Sequence, residues 1–192
     1  CLNMMTAKKL NFGNIMGHVT NVTNLSSLAS WTADQFDPTL TWEDIAWIKD
    51  RWKGKLILKG IMDSEDAMLA VKAGADAIII SNHGGRQLDG APSTISVLPE
   101  IVDAVNSKVE VHFDGGVRSG QDVLKALALG ADCIHIGRPY VYGLGAKGQE
   151  GVEIAIEIIK KELDLTMAMC GETNISNVGL HNLHHNPFKI IN

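Results

Sequence analysis

A base and a cation stand three residues apart in the run Ser81-Asn82-His83-Gly84-Gly85-Arg86-Gln87-Leu88-Asp89-Gly90, directly after the apolar stretch Ala77-Ile78-Ile79-Ile80. A histidine can move a proton near neutral pH, and an arginine can hold a carboxylate through two parallel hydrogen bonds. Gly84 and Gly85 let the backbone turn tightly enough for both side chains to face one ligand. The chemistry this suggests is proton transfer on a weak organic acid. Taken alone, His83 could equally be a satisfied structural histidine in a glycine turn; Arg86 beside it favours the functional reading.

Three further clusters follow apolar runs in the same way. Lys59 comes after Leu56-Ile57-Leu58, where it is either a lysine snorkelling out of a sheet rim or a fixed cation that stabilises an anionic cofactor state. Period two puts Ser81 on the same strand face as His83. The run His112-Phe113-Asp114-Gly115-Gly116-Val117-Arg118-Ser119-Gly120 is a glycine turn leading into a helix start, where amides can wrap a phosphate and Arg118 adds charge. Such turns also occur without ligands, for geometry alone. Ile136-Gly137-Arg138-Pro139 repeats the pairing of glycine and arginine, and two consecutive loops of this kind match the phosphate site that many barrels build after their last two strands.

The elements that must position these clusters alternate. Lys55 to Lys59, Ala77 to Ser81, Val109 to Asp114 and Asp132 to Gly137 read as short buried strands. Helical patterns lie between them at Ser64 to Ala73, Ser93 to Asn106 and Ser119 to Leu129, the first and third opening on a serine and closing on Gly74 and Gly130. Alternation of this kind means a parallel sheet. The near repeat of Ala70-Val71-Lys72-Ala73-Gly74-Ala75-Asp76-Ala77 in Ala126-Leu127-Ala128-Leu129-Gly130-Ala131-Asp132-Cys133 suits a barrel. A full eight-unit barrel takes about 250 residues; here four units follow a region with no convincing strand. The expected fold is therefore α/β, a TIM (β/α)8 barrel of which this chain supplies the last four βα units.

Ahead of those units, Thr41 reads as an N-cap with Asp44 three residues on, and Ile45, Trp47 and Ile48 supply an apolar helix face. Residues 1–30 show little period and read as a long excursion. Glu150 to Leu163 reads as an amphipathic helix closing the last unit, followed by a polar tail. The 192 residues are 45% hydrophobic and 20% charged, with a formal charge of −5, ordinary for one soluble α/β domain and unsuited to a nucleic-acid binder. Cys1, Cys133 and Cys170 are odd in number and lack metal or redox spacing, which points to a reducing compartment, with Cys133 expected as a buried, inert thiol. No acid or cysteine pattern joins His181, His184 and His185, so no metal is expected there. The beginning has neither an initiator methionine nor a signal-peptide layout, and reads as a cut chain.

Leu58-Lys59-Gly60, Ser81 to Asp89, Asp114-Gly115-Gly116-Val117-Arg118 and Gly137-Arg138 together resemble the FMN-dependent α-hydroxy acid dehydrogenases and oxidases, a family that includes bacterial L-lactate dehydrogenase, glycolate oxidase and mandelate dehydrogenase. The resemblance runs from about Phe36 to Gly171. It implies residues 1–35 as the variable excursion after barrel strand four, residues 36–171 as strands five to eight with their helices, and residues 172–192 as a tail. It makes His83 the catalytic base, also touching substrate, and Arg86 the clamp on the substrate carboxylate. Lys59 would sit by the flavin N1 and C2 carbonyl, Ser81 would be a further flavin contact, and Asp114 would hold the ribityl hydroxyls. Gly115, Gly116, Val117, Arg118, Gly137 and Arg138 would complete the FMN site around its phosphate.

The implied reaction is FMN-dependent oxidation of an L-2-hydroxy acid, L-lactate by resemblance, to the 2-keto acid. The family's first four strands are absent here, and with them the acid that pairs with the catalytic histidine, so the chain alone is expected to turn over poorly. The implied partners are the N-terminal half of the same barrel, a small 2-hydroxy acid, and further copies in a homotetramer. The implied location is the cytoplasm, at the inner face of the membrane in those bacterial relatives whose excursion touches it; Met4, Met5, Leu10, Phe12 and Ile15 are what this chain offers such a surface. Competing readings are a glycolate-oxidase-like enzyme using oxygen, a flavin-free half-barrel binding a sugar phosphate, and a non-catalytic half-barrel that pairs with itself along its strand edges.

Overall fold

The computed structural model describes residues 15, 19 and 25–184, which leaves Cys1 and His185 outside the description. Two compact units divide the chain, Cys1–Thr41 and Trp42–Asn192. In the first, α1 (Leu25–Asp34) is helical where the composition suggested irregular chain, with Leu28 buried and the Thr32 hydroxyl bonded back to the Leu28 carbonyl. Asp37 then folds a turn by accepting from both the amide and the hydroxyl of Thr39, which holds its carboxyl below the usual range.

The second unit runs α2 (Trp42–Arg51), β1 (Ile57–Ile61), α3 (Ser64–Lys72), β2 (Ala77–Ile80), α4 (Thr94–Val105), β3 (Glu110–Asp114), α5 (Gly120–Ala128), β4 (Cys133–His135), α6 (Arg138–Lys147) and α7 (Gln149–Met169). The four strands form one parallel sheet in the order β1-β2-β3-β4, as the alternation predicted. Several expected details change. Asp63, not Ser64, caps α3 by accepting from the Asp66 amide, since an aspartate one residue earlier reaches the same donor. Trp47 is exposed rather than on a buried face, and carries the Arg51 guanidinium 4.1 Å from its ring centre. α6 fills a stretch to which the sequence assigned no element beyond the Gly137-Arg138-Pro139 turn, and α7 extends six residues past Leu163.

The strands sort their residues by face. Ile78 and Ile80 of β2, with Val111 and Phe113 of β3, pack against Leu98, Ile101 and Val105 of α4 and Ala126 of α5 in one apolar core. Each of these side chains larger than alanine stabilises the fold by roughly 1.5–3 kcal/mol through burial. Lys59, Ile79, His112 and Cys133 are register partners and form a row on the opposite face. At Gly60 (φ 103°) β1 carries a bulge that turns Ile61 into the helix-side core while Lys59 keeps to the other face.

The Gly-Ala-Asp repeat has a structural meaning. Asp76 donates its amide to the Leu56 carbonyl at 2.8 Å, and its carboxylate accepts the Leu56 amide at 2.8 Å. Asp132 makes the same pair of bonds to Val111, each at 2.8 Å. Each aspartate thereby fixes its strand against the preceding one at the base of the sheet. Asp76 also pairs with Lys49, and with Lys55 at 2.9 Å, and these bonds hold its carboxyl well below the usual range. Their stabilising contribution is complete above the ordinary aspartate value of about 3.9 and is lost as pH falls through the depressed folded-state value. Asp76→Asn should therefore flatten the acid limb of stability below about pH 4, read from urea midpoints across that range. Identical acid limbs in the two proteins would remove Asp76 from this role.

Candidate active site at the strand ends

After β2 the chain closes a single 3-10 turn over His83–Gly85, with His83 at φ 57° and Gly84 and Gly85 at φ 67° and 71°. A left-handed histidine is uncommon and carries strain that the surroundings must hold, a pattern concentrated at functional sites. The hold comes from below. The His83 amide donates to Ser81 Oγ at 3.2 Å, and the Gly85 amide donates to the Asn82 carbonyl at 3.0 Å.

Ser81 itself is buried and uses its hydroxyl fully. It accepts from Lys59 Nζ at 2.6 Å and donates to Asp114 Oδ1 at 2.6 Å, while Lys59 Nζ lies 3.0 Å from Asp114 Oδ2. Three strand ends, β1, β2 and β3, are joined through this one group. Lys59 is thus neither a free snorkelling side chain nor an isolated cation, but half of an ion pair beneath His83.

Around these groups lies a cavity of about 630 Å³. Every site residue expected from the sequence lines it except Ser81, which sits underneath: Lys59, His83, Arg86, Asp114, the turn from Gly115 to Arg118, Gly137 and Arg138. Lys59 and three arginines against Asp114 make the lining positive, which favours an anionic ligand. His135 and Tyr140 also line it and were missed. His135 could have been found by extending the period-two face of β4, and Tyr140 by following the Gly-Arg-Pro turn one residue further. The His135 ring is held below its ordinary pKa first by burial and then by the neighbouring His112.

Two details differ from expectation. The amides at the start of α5 are already occupied: those of Arg118 and Ser119 donate to Asp122 Oδ2 at 2.9 and 3.1 Å, and that of Gly120 donates to Glu162 Oε2 at 2.9 Å. A phosphate would instead draw on Gly116 and Val117 in the turn. Arg138 spends one of its five donors on the Gly84 carbonyl, Nη2 to O 2.8 Å, and so ties the fourth loop to the His83 loop. Cys133, expected buried, is half-buried because it lies on the sheet face away from the helices.

The site suits a flavin mononucleotide on its own features. A Cβ at Gly116 or Gly137 would meet nothing within 4 Å, so the backbone there leaves open space, and Arg118 and Arg138 add charge beside it. Asp114 and Lys59, held from beneath by Ser81, supply carboxylate and ammonium groups suited to polyol and ring-carbonyl contacts.

The family profile of FMN-dependent dehydrogenases matches residues 2–185. Among curated relatives, 2-hydroxyacid oxidase 1 of Mus musculus is 49% identical over 165 residues, 86% of this chain and 45% of the relative. An L-lactate dehydrogenase of Vibrio cholerae is 43% identical over 179 residues, 93% of this chain and 47% of the relative. A mandelate oxidase crystal structure superposes with a TM-score of 0.75 at 46% identity, covering 80% of this chain and 45% of that one. A monotopic membrane (S)-mandelate dehydrogenase gives 0.77 at 38% identity, covering 84% and 43%. The chain spans about half the length of the curated relatives it matches.

Proposed function

Because the chain belongs to the family of FMN-dependent dehydrogenases, folded as the last four units of a TIM barrel, we propose that it forms the C-terminal half of an enzyme oxidising an L-2-hydroxy acid, L-lactate first among candidates. The observation that carries this reading is the convergence of His83 and Arg86 on one cavity above the Lys59–Asp114 pair. Bound FMN supplies the acceptor for the two electrons leaving the α-carbon. The chain's own groups do the rest. Arg86 holds the substrate carboxylate and so orients the α-carbon, His83 takes the substrate proton, and Ser81 fixes the turn that presents His83. Lys59 would lend its positive charge to the flavin ring, with Asp114 steadying the ammonium.

The test is the absorbance of the purified protein in its complete barrel. A flavin spectrum bleached by L-lactate supports the reading, whereas a colourless protein that binds sugar phosphates would overturn it. Arg86→Gln in the same preparation is expected to lower kcat/KM for L-lactate by roughly 10- to 100-fold, the worth of a charge-assisted hydrogen bond of about 1.5–3 kcal/mol. Unchanged kcat/KM would take Arg86 off the carboxylate.

The 49% identity to a 2-hydroxyacid oxidase favours a second reading, in which oxygen accepts the electrons. Peroxide formed in step with lactate consumption would select it. A peripheral membrane contact joins the proposal through similarity to the monotopic dehydrogenase. No helix among the described residues is long and apolar enough to cross a membrane, and Met4, Met5, Leu10 and Phe12 lie outside those residues.

A further inference from the structure

On the sheet face away from the helices, below the Ser81 cluster, three metal-ligating side chains from two strands come together. His112 and Cys133 are register partners on β3 and β4, and His135 follows Cys133 on the same face two residues later. One ligating atom from each lies within 4.8 Å of the other two, and His112 Nδ1 stands 3.1 Å from His135 Nε2. We propose that His112, Cys133 and His135 form a binding site for a zinc-class transition-metal ion.

The distances suit that ion. Zinc takes nitrogen at about 2.0–2.1 Å and thiolate sulfur at about 2.3 Å, which puts tetrahedral ligand atoms roughly 3.3–3.6 Å apart. The imidazole nitrogens stand just inside that spacing and part by about 0.2 Å to admit the ion, while the widest separation closes by about an ångström. Two imidazoles and a thiolate are borderline to soft donors, which suit zinc and select against magnesium and calcium. Paired strands hold all three Cα positions, so little ordering is left for the ion to impose.

A supporting contact is also in place. Glu110 Oε2 lies 3.2 Å from His112 Nε2, which makes this nitrogen the N–H donor to the carboxylate and leaves Nδ1 with its lone pair toward the cluster. This is the carboxylate-histidine arrangement that orients ligands at zinc sites. Without metal, His135 Nε2–H donates to His112 Nδ1. On binding, that hydrogen moves to the other nitrogen of His135, the Cys133 thiol loses its proton to solvent, and a sulfur–metal bond forms. The three ligands leave a fourth position for water. Lys59 brings positive charge nearby, which its partner Asp114 offsets. The assignment goes beyond the flavin reading and rests on none of the residues proposed to touch substrate.

Titration of the freshly reduced full chain with Co²⁺ as the probe tests it. The expected result is one ion per chain, tetrahedral d–d bands and a thiolate-to-cobalt charge-transfer band, all displaced by Zn²⁺. Cys133→Ser should abolish the charge-transfer band, and a Cys1→Ser, Cys170→Ser double variant should keep it. Glu110→Gln should weaken binding roughly 10- to 100-fold. A parent chain without the thiolate band overturns the proposal whatever the variants do. So does a band that survives Cys133→Ser, or binding abolished by changing His181, His184 and His185 to asparagine.

Discussion

In the complete, flavin-loaded barrel, His83→Gln should lower kcat for L-lactate by about 10²- to 10⁴-fold, the usual worth of a positioned general base. Glutamine is of similar reach and can hydrogen-bond the substrate, but it cannot take a proton. KM should move little, because Arg86 rather than His83 is proposed to carry the carboxylate. The turn should survive the change, since its ties run through the His83 amide to Ser81 and through the Arg138 guanidinium to the Gly84 carbonyl, neither of which uses the imidazole. Single-turnover bleaching of the flavin, followed by stopped flow, separates this step from product release. A loss under tenfold would mean that another group takes the proton.

The second large effect concerns stability. Gly120 opens α5 against α7, and a Cβ there would fall 1.9 Å from the Leu163 amide nitrogen and 2.3 Å from the Glu162 carbonyl carbon. Both obstacles are backbone, so no rotamer change relieves them, and α7 must retreat from α5. Retreat would also stretch the bond from the Gly120 amide to Glu162 and loosen Ile159 and Leu163 from the core. Overpacking typically costs about 1–3 kcal/mol and more where the backbone must shift. Gly120→Ala is accordingly expected to lose at least about 3 kcal/mol, a large share of a total near 5–15 kcal/mol. Gly145→Ala in α6 meets nothing within 4 Å and should instead gain up to about 1 kcal/mol of helix propensity. Urea unfolding of both variants provides the comparison, and a Gly120→Ala loss below about 1 kcal/mol would refute the backbone clash.

What was legible in the sequence and what was not divide along the range of the interactions. β2 shows as an apolar, β-branched run because all four of its residues are buried, and α5 shows because Ser119 and Asp122 form a complete capping box. The clusters after each strand were readable for the same local reason. α6 was not, because Gly143 and Gly145 look like helix breakers. Gly143 is needed where α6 and α7 touch, since a Cβ there would lie 2.3 Å from the Gly151 carbonyl oxygen. Tertiary contact overrides propensity at that crossing. The meeting of His112 with His135 was hidden too, because it depends on the register between two strands whose partners are more than twenty residues apart. The role of Arg138 as a tie to the Gly84 carbonyl required knowing how two separate loops face one another.

The two aspartate latches divide the sheet unequally. Asp76 indexes β2 on β1 and Asp132 indexes β4 on β3, over sequence separations of 20 and 21 residues. Among the described residues no carboxylate performs that task between β2 and β3. Each half of the four-stranded sheet is thus keyed by an aspartate at its base, while the side-chain ties across the β2–β3 seam lie at the rim, where Ser81 and Lys59 both hold Asp114 and Arg138 holds the Gly84 carbonyl. The hydroxyl that steadies the base of the His83 turn shares that fastening with Lys59, so a ligand that settles on Lys59 and Asp114 grips both halves of the sheet at once.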